Sequence, residues 1–152
     1  MEDRLAILDA DLTVPPESLP GFYDAYVSGH ADFLNGNRLV YPMEGEAMRF
    51  MNWLGNIFFA KALSWVLEME LGDTLCGTKL FARRDYERMT EWRAHFGDFD
   101  PFGDFELLFP AAVLGLGVTD VPVRYLARTY GTTQIHRFRD GWALFKMTAI
   151  GL

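Results

Sequence analysis

The residues best suited to chemistry are two aspartates near the start of the chain. Leu5-Ala6-Ile7-Leu8 is a short apolar run that predicts a buried strand, and it empties into Asp9-Ala10-Asp11. Residues two apart on an extended chain point to the same side, so the spacing predicts that both carboxylates stand together. Two carboxylates that close repel one another unless a cation lies between them. Their hard oxygens suit Mg2+ or Mn2+, and Mg2+ commonly uses one or two carboxylates plus substrate phosphates. An ion held there would neutralise a departing diphosphate. The plainer alternative is turn chemistry, because aspartates after a strand readily bond their own backbone.

The cations point the same way. Eleven arginines stand against three lysines, Lys61, Lys79 and Lys146. A guanidinium grips phosphate with two parallel bonds, where an ammonium is only a point charge. Arg38, Arg128 and Arg137 are the phosphate candidates, with Arg49 a weaker one, and each has a solvated arginine as its alternative. Thr132 and Thr133 follow Gly131 in a polar loop that could close over a ligand. Asp104 precedes an apolar helical run and reads as its N-cap, a role worth about 1 kcal/mol. Cys76 reads as a packed small residue, and His30, His95 and His136 show no metal-ligand spacing.

The elements that must position these groups alternate in type. Strands are expected at Leu5–Leu8, Ala31–Asn37, Lys79–Ala82 and Val118–Tyr125. Helices are expected at Gly21–Ser28, Glu46–Leu67, Arg84–Trp92, Phe105–Leu114 and from Ile135 onward. That alternation predicts an α/β domain with a mostly parallel sheet and flanking helices. Along the second helix Met48, Met51, Trp53, Leu54, Ile57, Phe58, Ala62 and Trp65 recur at helical spacing, and the Trp53–Trp65 stripe reads as core rather than as a lipid groove.

Bulk properties narrow the function further. The chain has 152 residues, one domain's worth, with half of them apolar. A net charge of −7 leaves no basic stripe for nucleic acid. One cysteine permits neither an intrachain disulfide nor a cysteine-based zinc cluster, which fits a reducing, cytoplasmic setting. No basic-then-apolar signal peptide precedes Leu5. Phe50–Leu71 is the most apolar long stretch, yet its polar residues make it a buried or membrane-surface helix and not a spanning one.

Taken in order, seven pieces resemble inverting family-two glycosyltransferases, and in particular the polyprenyl-phosphate sugar transferases related to dolichol-phosphate mannose synthase. They are Asp9-Ala-Asp11, Asn35-Gly-Asn-Arg38, Asp73-Thr-Leu-Cys-Gly77-Thr-Lys-Leu-Phe81 and Gly103-Asp104-Phe-Glu-Leu-Leu. Val121-Pro-Val-Arg-Tyr125, Arg128-Thr-Tyr-Gly-Thr-Thr133 and Gln134-Ile-His-Arg137-Phe138 follow, the last with Phe where processive relatives carry Trp. The resemblance implies the C-terminal portion of a nucleotide-diphospho-sugar transferase fold, moving a hexose from a nucleotide sugar to an acceptor such as a polyprenyl phosphate, at the inner membrane face. It implies Asp9 on the nucleotide side, Asp11 on a Mg2+ or Mn2+ ion, and Asp104 as the acceptor-side base. Arg38, Arg128, Gln134 and Arg137 would hold the diphosphate or the phosphate acceptor. Such enzymes carry a βαβα segment before the acidic pair that builds the nucleobase pocket, so a missing N-terminal half or a partner chain is expected to complete the site.

Two other readings stay open. Asp9-Ala-Asp11-Leu-Thr13 also matches the first motif of haloacid-dehalogenase-like phosphatases, with Asp9 as nucleophile and Asp11 as acid/base. Its later motifs fit poorly, because Thr74 follows Leu71-Gly72-Asp73 and His95-Phe96 is no apolar strand. A non-catalytic remnant that only docks a partner is the third.

Overall fold

A computed structural model describes residues 3–29, 31–41, 50–96 and 103–127, with five further helical positions between 142 and 149. Four strands, β1 (Arg4–Ile7), β2 (Phe33–Asn37), β3 (Lys79–Ala82) and β4 (Val118–Pro122), form one sheet in the order β1-β3-β2-β4. Among the described residues four complete α-helices accompany them, α1 (Leu19–Val27), α2 (Phe50–Val66), α3 (Arg83–Phe96) and α4 (Phe105–Val113), with a 3-10 turn at Pro16–Ser18 ahead of α1. The α/β class is as the sequence predicts. The sheet, however, is mixed and not mostly parallel: β3 runs antiparallel to both β1 and β2, and only β2 and β4 are parallel.

The reason lies in the connection between β2 and β3. A helix alone would return the chain to the start of β2 and give a parallel neighbour. Here residues 67–78 follow α2 as a non-helical segment and bring the chain back to the end where β2 finished. The amino end of β3 therefore meets the carboxyl ends of β1, β2 and β4. Ile7, Lys79, Asn35 and Asp120 form one cross-strand row at that end of the sheet.

Alternation along each strand sorts the two faces. Phe33 and Phe81 are cross-strand partners with rings stacked 5.1 Å apart, and they meet Leu63 of α2, Met89 of α3 and Leu108 of α4 in the larger core. Leu34 and Leu80 face the other way, toward Phe22 of α1, Val14, Cys76 and Val123. Helix α1 starts beside Pro20 and stops at Gly29, whose φ of +75° is a conformation glycine adopts without strain.

Helix α2 departs from expectation. Ala60 and Leu63 are buried and Phe59 packs on the core, but Met51, Leu54, Phe58 and Trp65 of the supposed core stripe face solvent. Only one side of the helix meets the sheet.

Candidate functional site

Among the described residues, the segments that follow β1 and β2, the one that precedes β3 and the start of α4 meet at the end of the sheet marked by the Ile7–Lys79–Asn35–Asp120 row. In open α/β sheets ligands bind at such strand ends. The acidic pair leaves β1 there, but not on an extended strand. The strand ends at Ile7, and Asp9–Leu12 is a turn closed by the Leu12 amide donating to the Asp9 carbonyl at 3.1 Å, with Leu12 at φ +53°. Strand alternation therefore does not set the two carboxylates side by side, contrary to the sequence argument. Asp11 also performs the turn chemistry: its Oδ1 accepts from the Thr13 amide at 3.1 Å and from the Thr13 hydroxyl at 2.8 Å. Asp9 is exposed, and its carboxylate lies directly over Gly77. A Cβ at Gly77 would stand 2.1 Å from Asp9 Oδ1, so only glycine admits this approach.

Residues 73–79 form the floor. Lys79, with 1% of its side chain exposed, donates to the Cys76 carbonyl and forms an ion pair with Asp104 at the start of α4. Asp104 makes no side-chain capping bond, so the plain N-cap expected of it is replaced by a buried charge pair joining β3 to α4. An ammonium removed from water must find acceptors, and these two supply them.

A second buried pair lies on the β2 side. Arg38 is clamped on Asp73 through Nε at 2.6 Å and Nη2 at 2.9 Å. The Arg38 amide donates to the same carboxylate at 3.2 Å, as does the Leu75 amide at 3.0 Å. The Tyr125 ring lies under the guanidinium at 5.1 Å. Burial alone would lower the Arg38 pKa and raise that of Asp73, but the opposite charge and shared hydrogen bonds reverse both, so the pair stays ionised. The fork expected to grip phosphate is thus engaged by a carboxylate of its own chain. Beside it Asp120 accepts from Asn35 Nδ2 at 2.8 Å, from Asn37 Nδ2 at 3.2 Å and from the Gly72 amide, while burial still pushes its pKa up.

Cys76 is fully buried among apolar neighbours, and burial pushes its thiol up to about 11, consistent with packing and not nucleophilic work. Arg49, Arg128, Thr132, Thr133, Gln134 and Arg137 lie outside the described residues.

Asp9, Arg38 and Asp104 all border the 73–79 segment, through Gly77, Asp73 and Lys79 respectively. Sequence reasoning gave no role of their own to Asp73 or Asp120, and none to Lys79 in the transferase reading. A lysine heading the apolar strand Lys79-Leu-Phe-Ala was the available signal, since such a side chain must find an acid when buried. Among the described residues no three His, Cys, Asp or Glu side chains cluster as a metal site. Carboxylate oxygens such as those of Asp9 and Asp11 are the donor type that a hard cation takes.

No protein-family model matches the chain. It is 33% identical over 91% of its length to a dolichyl-phosphate hexose transferase of Haloferax volcanii. Two further proteins of that organism are each 28% identical, a low-salt glycan biosynthesis hexosyltransferase, Agl6, over 92% of the chain and the glycosyltransferase AglJ over 91%. All three relatives are named sugar transferases. The chain spans 56%, 33% and 44% of their respective lengths.

Proposed function

We propose that this chain is the acceptor-side and metal-side portion of an inverting, family-two glycosyltransferase that moves a hexose from a nucleotide sugar to a lipid phosphate. The observation that carries the reading is the meeting of Asp9 and the Gly77 loop with the Lys79–Asp104 pair at one end of the sheet. Similarity along nine-tenths of the chain to named hexosyltransferases supports it.

In this reading Asp9 and Asp11 hold Mg2+ or Mn2+, which would supply charge neutralisation for the leaving diphosphate. Asp11 keeps its turn bond to Thr13 through one oxygen, and that bond fixes the carboxylate's orientation. Asp104 lies on the acceptor side. As a base toward a hydroxyl acceptor it would contribute roughly 10^2 to 10^4 in rate; toward a phosphate acceptor, already ionised, it would position instead. Lys79 fixes that carboxylate against the floor loop. Arg38 serves the site indirectly, by anchoring the Asp73 loop, and Arg128, Gln134 and Arg137 remain the candidates for direct phosphate contact.

Calorimetry with a panel of nucleotide sugars, with and without Mn2+, tests the assignment. In the complete protein, metal-dependent binding that Asp11→Ala abolishes is expected; affinity unchanged by that substitution would overturn it. Trapping of Asp9 by BeF3−, seen by crystallography, would instead favour the phosphatase chemistry.

A further inference from the structure

Asp120 stands at the centre of the five-residue strand β4, where aspartate is a poor strand former and a β-branched side chain would pack better. Its carboxylate is part-buried, and among the described residues it meets three N–H donors and no cation. Asn35 Nδ2 donates to Oδ1 at 2.8 Å, while Asn37 Nδ2 at 3.2 Å and the Gly72 amide donate to Oδ2. Burial pushes its pKa up against the pull of those bonds. A carboxylate drawn partly out of water with no opposite charge beside it is a cost to the fold, so its use must lie in what it holds.

What it holds is the head of the 73–79 segment. Residues 71–78 carry no helix or strand, and side-chain bonds set their course. Asp120 receives the Gly72 amide directly, and Asn35 Nδ2, bonded to Asp120, also donates to the Asp73 carbonyl at 2.7 Å. The approach is close enough to require glycine: a Cβ at Gly72 would stand 2.6 Å from Asp120 Oδ2 and nearer still to Asn37 Nδ2. Further along, the Asp9 carboxylate lies over Gly77 in the same manner. The segment is thus fastened at each end by an aspartate seated on a glycine, one from β4 and one from the acidic pair. Arg38 clamps the Asp73 side chain, but Asp120 and Asn35 hold the backbone, and the backbone is what places Gly77. Asparagine could not replace Asp120 here, because both oxygens accept and its NH2 would face one set of donors.

We infer that Asp120 is a positioning residue of the sugar-nucleotide site: from β4, through Gly72 and Asn35, it sets the backbone on which the Asp9 carboxylate rests. The inference rests on the transferase reading for the ligand, and on the bonds alone for the tether.

Two measurements on the complete protein test these parts separately. Hydrogen exchange followed by mass spectrometry needs no ligand. Asp120→Asn should speed exchange of the amides of residues 72–78 roughly ten-fold or more, while those of α3 and of the β1–β3 ladder keep their wild-type rates. Calorimetry, at a temperature where every variant is folded by circular dichroism, should show Mn2+-dependent nucleotide-sugar affinity falling about ten-fold or more. A merely structural acid would lower the thermal midpoint and leave the affinity of the folded protein alone. Gly72→Ala attacks the same contact from its other partner and should give both changes, and joining it to Asp120→Asn should add little to either alone. Unchanged exchange across 72–78 would overturn the tether, and faster exchange with unaltered affinity would overturn the positioning role. A wild type that binds no nucleotide sugar with the metal would instead fell the transferase reading, and the positioning role with it.

Discussion

Replacing Asp73 by asparagine separates two roles for Arg38, structural anchor and phosphate ligand. Asparagine preserves the volume of the fully buried aspartate, so no cavity term enters. What changes is charge. Three donors of Arg38 and the Leu75 amide all aim at the carboxylate, and the substituted amide can accept at only one of its two positions. The guanidinium is left ionised in a site where its side chain is 10% exposed, too little for water to take over. Breaking a buried pair on one side costs about 3–5 kcal/mol. For a chain of this length each kcal/mol moves the midpoint by about 2–4 °C, so Asp73→Asn should lower Tm by roughly 6–20 °C. Urea unfolding followed by circular dichroism measures the free energy directly, with an unchanged m-value showing that the two states are the same. Adding Arg38→Met should recover part of the loss, because the orphaned charge goes with it. A destabilisation of Asp73→Asn below about 1 kcal/mol would refute the reasoning and return Arg38 to the pool of phosphate ligands.

Three more outcomes follow from the same geometry. Gly77→Ala drives a methyl into the Asp9 carboxylate, an exposed and movable group, so Tm should change by no more than a few degrees while the complete protein's nucleotide-sugar affinity with Mn2+ falls about ten-fold or more by calorimetry; unchanged affinity would remove Asp9 from the site. The Asp73 carboxyl is held below its ordinary value, so its contribution is fully present above about pH 4 and is lost as pH falls through the lower folded value. The stability gap between wild type and Asp73→Asn should therefore be widest near neutrality and shrink in acid, read by urea titrations at several pH values. Cys76, buried and with its thiol raised to about 11, should resist a thiol-specific disulfide reagent in the native protein and react fully in denaturant; rapid native reaction would contradict its packing.

Much of this was legible in the sequence because it depends on neighbours along the chain. The strand ending before Asp9, the stop at Gly29, the strand Lys79–Ala82 and the helix after Asp104 are set by apolar periodicity and by glycine's tolerance of positive φ. The order of motifs, too, is a property of the chain alone. Tertiary structure decided everything that depends on direction and distance. Strand direction turned on where residues 67–78 return the chain, which no local pattern encodes. The turn at Asp9–Leu12 overrode the alternation that would have aligned two carboxylates. Arg38 met Asp73 across 35 residues and Lys79 met Asp104 across 25, so groups that read as free charges became buried pairs. Helix α2 shows the same limit: periodicity places apolar residues on a face, and only packing determines which face the core covers, because a one-dimensional pattern carries no record of what lies on either side.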